Sequence, residues 1–214
     1  MKLDPAAAYR VIRFGEGFLI ALYWTLALVF QVQTVGLSPM QLVLMGTIYE
    51  IAILSLEVPT GVVADLYSRK ASILIGFTIC GVAMMMQAGP PTVLIVALAQ
   101  VVLGLGETFI SGAREAWITD ELPHSLEHDT TPGKMFIIGS QHELVGRFVG
   151  AWAVLLFVRN GIGSVLLAAG IGMVSLAIFG LVSMTEHGFK RERHGANFVA
   201  GLRDGWSAVR GSKI

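Results

Sequence analysis

Gln100, Glu107, Ser111 and Arg114 follow one another at spacings of seven, four and three inside an apolar run. At about 100° per residue all four fall within about 60° of helical arc, and Glu115 stands at the edge of the stripe. A carboxylate, a hydroxyl and a guanidinium on one face could bind a polar solute, pass a proton, or pair with charges on neighbouring helices. Other apolar runs carry ionisable groups too. Glu50 lies eleven residues beyond Pro39. That is about 16 Å along a helix, near the middle of a hydrocarbon core about 30 Å thick. Charge at that depth is costly and is kept for function or for pairing. Glu50 therefore reads either as a group in a solute or proton path or as a bond to a neighbouring helix. Glu57 shares its face, as do Gly46 and Gly61, which suggest close helix contact. With Pro59 just beyond it, Glu57 reads as the carboxylate that fixes the polar hairpin after Gly61. Glu143 and Arg147 are four apart, in the order that favours a pair along one helix. Arg147 is near mid-depth, within reach of Glu107 or Glu50. Tyr23 stands seven residues from Glu16 on one face and is a candidate for lining a cavity, with Trp24 beside it.

The elements that must hold these groups are membrane helices. The 214 residues are 54% hydrophobic and 14% charged, with mean hydropathy +0.70. A soluble domain carries about a quarter charged residues. The apolar stretches are as long as a helical span rather than short and alternating, so the chain reads as an all-α membrane protein. Six spans are expected, at about 14–34, 39–64, 71–88, 92–121, 134–158 and 164–184. Residues 1–184 would form the transmembrane bundle, and 185–214 the start of a cytoplasmic linker. Pro39 suits the first turn of its helix. The first apolar run is a full span with no small-residue cleavage site after it, so no cleaved signal is expected.

Lysine and arginine set the orientation. With the N-terminus inside, inner segments hold twelve, outer loops hold only Arg159, and Arg114 and Arg147 lie within spans. That bias predicts two cytoplasmic termini. Phe198, Leu202, Trp206 and Val209 recur at helical spacing in the tail, as in an amphipathic helix lying in the membrane interface. The formal net charge is zero, which gives no pull towards nucleic acid. Cys80 is the single cysteine, so no disulfide within the chain is available. No phosphate loop, Cys-x-x-Cys pair or nucleophile elbow occurs. His142 beside Glu143 starts a zinc-helix pattern, but the position four beyond His142 is Gly146. The chain reads as no enzyme, without metal or cofactor.

Two motifs carry a resemblance. Gly61, Asp65, Ser68, Arg69 and Lys70, between the second and third spans, resemble the loop signature of the major facilitator superfamily. Ser111 to Trp117, followed by Asp120 and Glu121, is similar to the fourth helix of many bacterial members. The resemblance implies the N-terminal six-helix half of a twelve-helix fold in a bacterial inner membrane. It implies transport of a small solute by alternating access, with Glu107, Ser111 and Arg114 facing the solute or its path. It suggests proton-coupled efflux of drug-like compounds. The partners it implies are the lipid bilayer, protons, a small-molecule substrate, and a C-terminal half or a second copy. The hairpin would act as a conformational latch, with Glu57, Gly61, Asp65, Arg69 and Lys70 as its residues. Two departures stand out. Gln100 occupies the place where many members have an arginine associated with proton coupling. No proline occurs between Lys134 and Met184, so the glycine-proline motif of drug antiporters is missing. A reading of another class is a membrane assembly or interaction protein whose intramembrane charges are purely structural.

Overall fold

The computed structural model describes residues 2–189. Six long helices account for most of them: α1 (Pro5–Gln33), α2 (Pro39–Leu66), α3 (Arg69–Gln87), α4 (Val93–Glu121), α5 (Pro132–Phe157) and α6 (Ile162–Ser183). Five of the six are long and apolar enough to cross a membrane. The sixth, α5, has 26 residues, but Gln141, His142, Glu143 and Arg147 interrupt its middle. The chain is a multi-pass membrane protein with an all-helical bundle fold. The amphipathic segment expected at 197–210 lies outside the described residues.

Five helices begin and end within two residues of the expected spans, but α1 starts well before Phe14. The reason is local. The Asp4 carboxylate accepts the Ala6 N–H at 3.2 Å, and Pro5 occupies the first helical position, where its missing N–H costs nothing. Arg10 and Arg13 thus belong to the helix, not to a loop before it. The Ser38–Gln41 capping box and Pro39 start α2 in the same way.

The helices pack in the order α5, α1, α6, α3, α4, α2, which makes an arc with α2 and α5 at its two ends. Lipid is as apolar as leucine, so close packing rather than the hydrophobic effect holds such helices together. The α1–α5 seam shows how. Gly146 lies against the carbonyl of Phe14, Gly150 against that of Phe18, and Gly17 against that of Glu143. A methyl group at any of these positions would overlap the opposing backbone. Gly146 and Gly150 therefore form the contact face their spacing predicts. Gly46 and Gly61 do not: nothing lies within 4 Å of the place where a side chain would begin. The α2 helix instead leans on α4 through Ala52, which meets Gly104. Much of the rest of its surface is exposed.

One end of the bundle is knitted by polar contacts around the α2–α3 hairpin. Arg69 pairs with Asp120, donates to the Ala116 carbonyl at 3.2 Å, and stands 3.6 Å from Asp65. Glu186 accepts from the Ser68 hydroxyl and, at 3.0 Å, from the Lys70 N–H. The Lys70 ammonium donates to the carbonyls of Leu181 and Met184 at 3.0 and 2.7 Å. Glu57 was expected to fix this hairpin, but among the described residues its carboxylate makes no hydrogen bond or ion pair there. Its side chain is exposed on α2. Eleven residues, about 16 Å of helix, separate it from Ser68. Asp120 and Glu186 do that work. Asp4 ties the same end across the bundle, accepting from the Ser125 hydroxyl and, at 2.7 Å, the Leu126 N–H.

Candidate functional site

Where α1 and α4 part, a cavity of about 240 Å³ opens between α1, α2, α4 and α5. The wall from α1 is Arg13, Glu16, Ile20 and Trp24; Tyr49 comes from α2. The α4 stripe supplies Glu107, Ser111 and Arg114, and α5 supplies Glu143 and Arg147.

Five of the charges here, with Glu115 just outside the cavity wall, form one alternating chain across three helices. Glu115 meets Arg114 at 3.3 Å. Arg114 pairs with Glu16, whose other oxygen accepts from Arg13 at 3.0 Å. Arg13 pairs in turn with Glu143, and Glu143 accepts from Arg147 at 2.9 and 2.6 Å. Three carboxylates thus balance three guanidiniums. Glu16 sits at the centre with a side chain only 4% exposed, whereas Arg147, at the end, is 49% exposed. Burying ions requires this kind of compensation. The residue order explains the geometry: Arg13 and Glu16 are three apart on α1, Glu143 and Arg147 four apart on α5, so each pair lies on one face. The close α1–α5 seam brings the two faces together.

Glu107 stands outside the chain. Among the described residues it takes part in no hydrogen bond and no ion pair. The Trp24 and Tyr49 rings, also in the cavity wall, meet edge to face with centroids 5.9 Å apart.

The stripe on α4 is not continuous. Gln100 is buried and turned to α3, donating to the Gln87 side-chain oxygen at 3.4 Å. The same oxygen accepts from the Tyr23 hydroxyl at 2.8 Å and lies 3.5 Å from the Gln31 amide. At this level α1 and α3 close over α4, so Gln100 faces packing while Glu107, two turns on, faces the cavity. Tyr23 belongs to the packed cluster and is 1% exposed. Its sequence neighbour Trp24, rotated by about 100°, takes the cavity position expected of it. Glu50 is likewise displaced: it is exposed on α2, and Tyr49 lines the cavity instead.

Glu107, Ser111 and Arg114 share one face of α4, as their spacing suggested, and Arg147 of α5 joins them in the cavity wall. The Glu143–Arg147 pair forms, but Glu143 is shared with Arg13, so the pair is part of a larger chain. Arg13 and Glu16 were missed as cavity residues. Their signal was present in the three-residue spacing, but a span drawn from Phe14 made Arg13 a loop charge. Asp65 and Lys70 lie with Arg69 in the hairpin at the knitted end, away from the cavity wall. Gly61 lies on the α2 segment leading into it.

A sequence model described as Major Facilitator Superfamily matches residues 11–214. No curated protein matches the chain.

Proposed function

The chain belongs to the major facilitator superfamily, a family of membrane transporters, and we propose that it is the six-helix N-terminal half of a secondary active transporter. A small solute would cross by rocking of this bundle against a second one around the mid-membrane cavity. The observation that carries this reading is Glu107: an ionisable group in the cavity wall, beside Ser111, left outside a charge chain that is otherwise balanced. Such a group can gain and lose a proton as the cavity changes the side it faces, which is what proton-coupled export requires. The solute class we favour is a drug-like amphipathic compound. The lysine and arginine bias supports an inner-membrane orientation with both termini cytoplasmic. The hairpin with Asp65, Arg69 and Lys70 would hold the two halves in one of two states, since it lies beyond the reach of a solute in the cavity. Glu50, exposed on α2, would face the second bundle or the pathway between the two.

The test is transport by the complete two-bundle protein with Glu107→Gln. Loss of the pH dependence of transport is expected, because the titrating group is gone. An unchanged pH profile returns Glu107 to a structural role.

A second reading draws on the charge chain itself. Glu115, Arg114, Glu16, Arg13, Glu143 and Arg147 satisfy one another, as structural charges in a membrane assembly protein would. Flux through the complete protein separates the two readings: an assembly protein carries none.

A further inference from the structure

We infer that the cavity takes an organic cation, with the positive centre against Glu107 and an apolar or aromatic part against Trp24 and Tyr49. This rests on the reading of the cavity as the solute site. The first argument is charge balance. Arg13, Arg114 and Arg147 are each in contact with a carboxylate, and Glu16, Glu115 and Glu143 match them one for one. Glu107 is in contact with none of the three arginines, so it is the one charged group of the wall that stands outside an ion pair among the described residues. An anionic solute would have to displace a carboxylate from an arginine that already holds one. A cation needs no such exchange, and it supplies a positive charge in direct contact with Glu107, which no described residue does.

The second argument is independent of charge counting. Two aromatic rings, Trp24 and Tyr49, enter the same wall from different helices and meet edge to face. Trp24 is 42% exposed, although the tyrosine before it in sequence is sealed in the bundle. An open indole face attracts a cation through its quadrupole, most strongly where water is scarce. The about 240 Å³ of the cavity suits a small quaternary ammonium ion with one ring.

The probe is benzyltrimethylammonium, whose charge does not change with pH. It is titrated by calorimetry into the purified 214-residue chain in lipid nanodiscs. Glu107 holds no partner among the described residues, so Glu107→Gln, of nearly the same shape, leaves the packing intact; helicity by circular dichroism confirms this. Saturable binding is expected, weakened about tenfold or more by Glu107→Gln and several-fold by Trp24→Leu. Glu107→Asp should retain most of it. Equal binding by the wild type and Glu107→Gln overturns the inference, as does no saturable binding by the wild type. Tighter binding of benzenesulfonate than of the ammonium ion also overturns it and makes Arg147 an anion site. The assay needs no transport. Failure here with a pH profile that depends on Glu107 would remove the cation and keep the transporter; the converse result would keep the cation site and remove the proton role.

Discussion

Glu16→Gln should be the most damaging conservative change in the bundle. The Glu16 carboxylate lies between Arg13 and Arg114, and its side chain is 4% exposed. Glutamine keeps the shape and removes the charge, which leaves two guanidiniums with less compensation. Breaking a buried ion pair typically costs 3–5 kcal/mol. The lower end applies, because Arg13 keeps Glu143 and Arg114 keeps Glu115. A loss of about 3 kcal/mol should lower the midpoint of thermal unfolding by about 6–12 °C for a chain of this size. The assay is the melting of the purified chain in detergent, followed by circular dichroism. A double change with Arg114→Gln should cost less than the sum of the single changes, by about 0.5–3 kcal/mol, because the two side chains share one contact. A fall of less than about 2 °C for Glu16→Gln, or strict additivity with Arg114→Gln, would refute the linked chain of charges.

Other consequences follow from the packing and the caps. Gly146→Leu should destabilise the chain by more than the about 1–3 kcal/mol usual for overpacking, because the Phe14 backbone is in the way; melting again reads it. Asp4→Ala should cost about 1 kcal/mol as a lost helix cap. Burial raises the Asp4 carboxyl pKa, but hydrogen bonds from Leu126, Ser125, Ala7 and Ala6 outweigh it and hold the group below 3.8. A group depressed on folding stabilises above its unfolded pKa. Its contribution should therefore be present above about pH 4 and be lost as pH falls through the lower folded value. An acid titration in which wild type and Asp4→Ala converge at low pH would show this. Asp65→Asn in the complete transporter should slow transport and leave solute affinity nearly unchanged, which uptake and binding measured side by side would check.

The membrane class and the helix boundaries were legible because a span needs a long apolar run and a lipid-facing backbone must be helical. The family was legible in the short stretch from Gly61 to Lys70. The start of α1 was not, because Arg10 and Arg13 make Pro5 to Arg13 read as a segment before the span; only the Asp4–Pro5 cap marks it as helix. That error hid Arg13 from the site. Spacing placed Glu107, Ser111 and Arg114 on one face correctly. It could not say that Gln100, seven residues earlier, meets a closed part of the bundle, since that depends on where α1 and α3 converge. The same limit exchanged Tyr23 for Trp24 and Glu50 for Tyr49. A residue's face on its own helix is set by sequence, but which faces meet is set by the partner helices. Glu57 was assigned to the hairpin by sequence proximity, whereas Asp120 and Glu186 reach it from helix ends that are distant in the chain.

The measurement that bears most directly on alternating access is the reactivity of Ser111→Cys towards a membrane-impermeant thiol reagent. Ser111 lines the cavity and is exposed, while the native Cys80 is fully buried and will not compete. The complete two-bundle protein would be labelled in sealed right-side-out vesicles and, separately, in inside-out vesicles. The account predicts reaction from both sides, each faster than at Leu155→Cys on the exposed apolar face of α5. Reaction from one side alone, or from neither, would contradict it.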